Sequence, residues 1–141
     1  MSADDIYQQA ILELANAANA RGTLASPDAR ATLDNPLCGD CVEIQINVRD
    51  DRITALAHDV QGCLLCRAAA SVIGKRAIGA TLSDIEAIGA AVSAMLEEQA
   101  LPPSGWDELS AFKPVHGHRS RYRCVQLPFE ALASALRSSS A

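Results

Sequence analysis

The sequence predicts an α+β fold, a small antiparallel sheet packed by helices, within one domain spanning residues 1–141. Three observations carry that expectation. Val42, Ile44, Ile46 and Val48 alternate with Glu43, Gln45 and Asn47, the period of a strand with one buried face. Arg52 to Val60 reads as a second strand returning after a turn at Asp50-Asp51. Around this hairpin lie segments whose apolar residues recur at helical spacing. A chain of 141 residues can bury a single core. With one Trp, two Tyr and two Phe, that core must be largely aliphatic.

Taken in order, residues 4–20 form an amphipathic helix through Ile6, Ala10, Ile11, Leu14, Ala17 and Ala18, and Gly22 ends it. Residues 26–36 read as a turn-rich linker, on the strength of Ser26-Pro27-Asp28 and Asn35-Pro36. The hairpin follows. An alanine-rich helix then occupies 64–77, with no breaker before Gly74. Ser83 and Glu86 have the spacing of a capping box, opening a helix to about Glu98. Leu101-Pro102-Pro103-Ser104-Gly105 breaks the chain before a short segment from Trp106 to Phe112. Residues 116–123 are polar and basic. A last helix runs to about Arg137, with Pro128 inside it or in its first turn, and residues 1–3 and 138–141 fray.

Composition excludes several functions. A net charge of −5 argues against a nucleic-acid partner, which would need a basic footprint. No stretch approaches the ~18 apolar residues that would span a membrane. The acidic start, Met1-Ser2-Ala3-Asp4-Asp5, is unlike a secretory leader. Five cysteines in a chain without an export signal point to ligands or reactive thiols in a reducing cytoplasm rather than to disulfides.

Those cysteines hold the chemistry. Cys38-x-x-Cys41 and Cys63-x-x-Cys66 could form a four-cysteine structural zinc site, but the gap between the pairs is long and a strong helix follows the second. In an extended segment Cys38 and Asp40 point one way and Cys41 the other, so Cys38 and Asp40 are the expected co-ligands and Cys41 the bystander. Cys63 opens a helix, where N–H groups and the dipole favour a thiolate. Cys66, one turn on, is ligand, resolving thiol or core filler. Soft sulfur donors select zinc or iron–sulfur chemistry over magnesium or calcium. His58 is expected on the surface of its strand, and His116 and His118 in a solvated loop. Arg119, Arg121 and Arg123 precede Cys124, where they are either solvated charge or a means of holding its thiolate ionised.

Asn35-Pro36-x-Cys38-Gly39-Asp40, the hairpin, Gly62-Cys63 at a helix start and the late Cys124 together resemble the iron–sulfur cluster assembly scaffold family that includes IscU, SufU and the N-terminal domain of NifU. The similarity covers about residues 4–137. It implies a three-stranded antiparallel sheet flanked by helices. It also implies a labile [2Fe–2S] cluster or zinc held by Cys38, Cys63, Cys124 and Asp40. Arg123 stands where IscU-type members carry a histidine, and the Leu-Pro-Pro-Val-Lys handle of that branch is missing before Cys124. The long span from Cys63 to Cys124, with Leu109, Val115 and Arg121 in register, resembles the SufU type. That branch implies a SufS-like cysteine desulfurase as partner, with Cys38 as sulfur acceptor and apo iron–sulfur proteins as recipients. The alternatives are a zinc-dependent sulfurtransferase without a scaffold role, and a structural zinc module. Cys41 and Cys66 are thiols beyond the family set, His118-Arg119 replaces its usual Phe-Pro, and Arg121 and Arg123 are accessory candidates.

Overall fold

The computed structural model describes residues 9–36 and 39–139. Their order is α1 (Gln9–Ala17), β1 (Ala29–Asn35), β2 (Asp40–Arg49), β3 (Arg52–Gln61), α2 (Leu64–Arg76), α3 (Leu82–Glu98) and α4 (Tyr122–Ser139). Between α3 and α4 run two 3₁₀ segments, Asp107–Val115 and Arg119–Arg121. The sheet is three-stranded and antiparallel in the order β1-β2-β3, as the family resemblance implies. Asp50 and Asp51 both take positive φ, the geometry of a tight hairpin turn that matches strand twist.

Register follows the alternation. Val42 faces Val60, Ile44 faces His58 and Ile46 faces Leu56. Val42, Ile44 and Ile46 are wholly buried, because α4 lies across β1 and β2 while α2 packs on β3 and α4. α1 covers α2, and α3 lies against α4. The helices thus occupy one face of the sheet, and a single apolar cluster runs through all of them.

Residues 26–36 are not a linker: Ala29–Asn35 is an edge strand paired along its length with β2. Its inward residues are Ala29, Ala31 and Leu33, two of them small, and the strand ends in Asp34-Asn35, so it does not look like a strand, and α4 supplies the burial that propensity does not. The second difference concerns α1, which stops at Ala17, well before Gly22; the expected residues 4–8 of this helix lie outside the described residues. Ala18 and Ala20 enter left-handed backbone at φ 45° and 67°. That costly turn is held by tertiary bonds. Ser71 Oγ accepts from both Asn19 N and Nδ2 at 3.1 Å, and Asn19 O accepts from His58 Nε2 at 2.7 Å.

The same turn corrects the expectation for His58, which is only 4% exposed. Residues 20–22 form a parallel bridge with His58, through His58 N to Ala20 O and Gly22 N to His58 O, and so cover the outer edge of β3. α3 begins two residues earlier than expected. Thr81 is its cap, accepting from Asp84 N at 3.2 Å while Asp84 Oδ2 accepts from Thr81 N at 3.0 Å. Glu86, freed from capping, pairs with Arg137. The 3₁₀ segment continues past Phe112 to Val115, and α4 continues through Ser138 and Ser139. Pro128 sits beyond the first turn of α4, where it has no N–H to donate to the helical ladder.

Gly74 is where α2 meets the end of α1. A Cβ there would lie 2.0 Å from Asn19 O and 2.9 Å from Ala20 Cβ. The backbone contact cannot yield cheaply, so Gly74→Ala is expected to lower stability by about 1–3 kcal/mol despite the better helix propensity of alanine. Chemical denaturation of the two proteins checks this, and an unchanged or raised midpoint would refute it.

Candidate metal centre

Asp40 is the first residue of β2 and shares the inward parity of Val42 and Ile44, so its carboxylate is carried under the helices. It is 1% exposed. A buried carboxylate needs donors. Asp40 Oδ1 finds one in the backbone N–H of Cys63, at 2.9 Å, immediately before α2. Gly62 permits that approach: a Cβ on it would fall 2.2 Å from Asp40 Oδ1 and 3.0 Å from Asp40 Cα. Cys63 Sγ lies 4.0 Å from Asp40 Oδ2.

Cys124 arrives from the opposite direction, in the first turn of α4, fully buried. One donor atom from each of Asp40, Cys63 and Cys124 lies within 4.8 Å of the other two. Two thiols and a carboxylate that close can hold a soft divalent cation, which prefers sulfur and tolerates one oxygen.

The electrostatics separate the two thiols. Cys63 is lowered from the ordinary thiol value to about 7, chiefly by a hydrogen bond from Cys124. Burial opposes the shift, the N–H groups of Cys66 and Leu65 reinforce it, and the Asp40 charge opposes it. The sulfur makes no full capping bond, yet those two N–H groups lie close enough to favour its charge. Cys124 moves strongly upward, because it is the donor to Cys63 and is buried beside Asp40. Of the two sulfurs, Cys63 is the thiolate and Cys124 keeps the proton.

Cys38 lies outside the described residues. The chain approaching it is turned by Gly39, at φ 74°, whose N–H bonds Asn35 O at 2.8 Å. Cys41 does not join the group. It points to the other face of β2, and a hydrogen bond to Asp34 raises its pKa and keeps it a thiol. Cys66 is fully buried among core residues, with its N–H turned toward Cys63.

Arg123 is exposed and pairs with Glu130, away from the donors. Arg121 is half-buried in the 3₁₀ turn before α4. His116 is tied through Nδ1 to Leu96 O at 2.6 Å. Sequence reasoning had Gly62 only as part of a motif; its role as the contact surface for Asp40 is visible only once β2 and α2 meet.

A three-stranded sheet covered on one face by helices, with sulfur and carboxylate groups gathered at the start of a strand and of two helices, defines a small α+β domain whose clustered donors could hold a soft metal. Residues 6–110 match the family described as NifU-like N terminal domain, and the chain belongs to that family. It is similar along 94% of its length to the iron–sulfur cluster assembly scaffold protein IscU of Thermotoga maritima, at 24% identity over 132 residues and 93% of that protein. The IscU of Streptococcus pyogenes serotype M1 is 26% identical over 137 residues, covering 95% of this chain and 84% of the relative. A crystal structure of a nitrogen-fixing NifU-like protein (N-terminal) from Brucella abortus superposes with a TM-score of 0.91 at 37% identity, covering 97% and 96% of the two chains. The crystal structure of a protein described as a scaffold for the SUF system, from Fervidobacterium islandicum, shares the fold at 20% identity, with a TM-score of 0.85 over 96% of this chain and 99% of that one.

The proton arrangement predicts reactivity. In metal-free protein, alkylation of Cys63 should rise with pH through a midpoint near 7, since the thiolate is the nucleophile, while Cys124 stays slow. Cys124→Ala removes the donor and should move the Cys63 midpoint upward. Mass-spectrometric alkylation profiles check both, and an unmoved midpoint would show that Cys124 does not set it.

Proposed function

We propose that this protein is an iron–sulfur cluster assembly scaffold of SufU-like character, in which Cys38, Asp40, Cys63 and Cys124 form the site and Cys38 accepts sulfur. The observation that carries this reading is the convergence of Asp40, Cys63 and Cys124 within 4.8 Å in a chain of the NifU-like N-terminal family. Relatives named as cluster assembly scaffolds support it across nearly the whole chain.

The donor set fits both zinc and a cluster as cargo. Three thiolates and one carboxylate satisfy a tetrahedral zinc site. Zinc, when bound, would supply a positive charge that keeps the thiolates ionised at neutral pH. For a transient [2Fe–2S] cargo, complete cysteine ligation would give a lasting site, and Asp40 provides one harder, more exchangeable oxygen donor. Asp40 is already fixed by the Cys63 N–H, so its second oxygen faces the sulfurs without further ordering.

Sulfur acceptance falls to Cys38. Cys63 caps α2 and Cys124 lies in α4, both at least half-buried, whereas Cys38 falls in the sequence between two strands. A cysteine desulfurase of the SufS type would present a persulfide there. The Cys38 thiolate attacks its terminal sulfur, the S–S bond to the desulfurase breaks, and the desulfurase cysteine leaves as thiolate. Recipient apo iron–sulfur proteins take the finished cargo. The setting is cytoplasmic.

Two measurements test the proposal. With a SufS-type desulfurase, Cys38→Ala is expected to abolish stimulation of cysteine turnover by the zinc-loaded protein. An undiminished rate would remove Cys38 as acceptor. Asp40→Ala is expected to slow cluster transfer from reconstituted protein to an apo acceptor several-fold, as followed by circular dichroism in the visible. Faster loss of the cluster would contradict the assigned role of the carboxylate.

A further inference from the structure

The two edges of the sheet differ. Residues 20–22 bridge to His58 and cover the outer edge of β3. β1 has β2 on one side, and among the described residues no strand or bridge pairs with its other side. The backbone groups along that side form an open row, a template for another extended chain. Arg30, Thr32 and Asp34 are exposed, and the inward Ala31 and Leu33 are only half-buried although α4 lies over the strand. Leu33 also walls a groove of about 570 Å³ between α3 and α4, with Ile85, Val92 and Phe129 in its lining. No residue of β2 or β3 lines this groove, so it lies on the open-edge side of the sheet.

Backbone pairing is common to all sequences, so the side chains decide which strand such an edge accepts. About Thr32, the run Arg30-Ala31-Thr32-Leu33-Asp34 is complementary to itself. In an antiparallel pair of two copies centred there, each Arg30 stands directly opposite the other copy's Asp34, and Thr32 faces Thr32. Opposite charges and paired threonines are favourable cross-strand neighbours. On the inner face each Leu33 stands opposite the other copy's Ala31, large against small, and the two leucines are diagonal neighbours across the axis. A parallel pair in register would set Arg30 beside Arg30, and a slip of one residue would set inner faces against outer ones. Neither charge is neutralised within the chain. Among the described residues Arg30 and Asp34 form no ion pair, and Asp34 accepts from the neutral thiol of Cys41.

We propose that β1 is an interface with a second copy of this chain, pairing antiparallel with its counterpart about a two-fold axis at Thr32. The two three-stranded sheets then become one continuous sheet, with the two Leu33-walled grooves brought together on its helical side. A foreign strand would need only a backbone, whereas this pattern of charge and size rewards the chain's own sequence. Five paired residues bury little area, so the dimer is of the weak, concentration-dependent kind. The pairing requires nothing of the sulfur or cluster chemistry.

Sedimentation velocity of the full chain from about 10 μM to about 1 mM, the range of a weak interface, should show a monomer passing into a dimer. Arg30→Asp sets like charges opposite each other at both ends of the pair and should weaken association at least about ten-fold. Asp34→Arg should do the same. Mixing these two variants puts an arginine opposite an aspartate at both positions again, so the mixture should recover the affinity of the unaltered chain as a heterodimer. Melting curves establish that each variant is folded. If one is not, hydrogen exchange on the unaltered chain decides, with amides in residues 30–34 gaining protection as concentration rises. A monomer throughout the range, or a gain of protection confined to other segments, would overturn the proposal. So would association that the charge reversals leave unchanged, or folded variants whose mixture fails to associate.

Discussion

The hydrogen bond from the Cys63 N–H to Asp40 Oδ1 joins the two halves of this molecule. Asp40 opens β2 and Cys63 caps α2, so a single 2.9 Å contact fixes the start of a strand against the start of a helix. Neither group could be buried alone without an unsatisfied polar atom, and together they answer each other. The positive end of α2 strengthens the bond further. The condition is steric: only a residue without Cβ at position 62 lets the carboxylate sit there. Once β2 and α2 are joined, the packing of α4 on the sheet brings Cys124 to the same place without any further special feature.

That geometry has an electrostatic consequence. Two thiols and a carboxylate confined to one buried spot cannot all be ionised, so a proton is retained between the sulfurs, on Cys124 rather than on Cys63. The retained proton marks where a soft cation would be most favourable, since both neutralise the same crowded negative charge. Metal affinity at such a site must therefore fall as pH falls, because protons compete for the same sulfur. The helix N–H groups of Leu65 and Cys66 bias the contest toward charge at Cys63 before any ligand enters.

The sequence made the hairpin and α2 legible because period-two alternation and helical spacing are local signals, but whether Asp40 shares the inward parity depends on the chain staying extended past Gly39. Its cysteine spacing alone still left a four-cysteine zinc site open. Exclusion of Cys41 follows from strand parity, and its Asp34 contact shows why it stays a thiol. What escaped local reading depended on distant partners. β1 needed α4 to bury its alanines. The left-handed exit from α1 needed Ser71 and His58, far along the chain, to hold it. His58 itself looked like a polar residue on a strand; its register opposite Ile44 turns it to the helix-covered face, and the bridge from residues 20–22 covers the strand edge beside it. Thr81 and Ser83 both begin capping patterns, and the pattern itself does not choose between them.

The four residues of the proposed site divide along the same line. Asp40, Cys63 and Cys124 sit at the ends of regular elements whose hydrophobic faces are fixed by the core, so their positions are inherited from packing. Cys38 belongs to the connection between β1 and β2, preceded by Pro36 and followed by Gly39 at positive φ. Residues that must meet another protein are commonly carried on connections over a rigid frame, because a connection can change its contacts without disturbing the core. In the proposed role, the sulfur-accepting cysteine has to leave the site to meet a desulfurase and then return. A thiol at the start of α2 or on α4 could do so only by disturbing a packed helix, so the proposed role calls for an acceptor cysteine carried outside the regular elements.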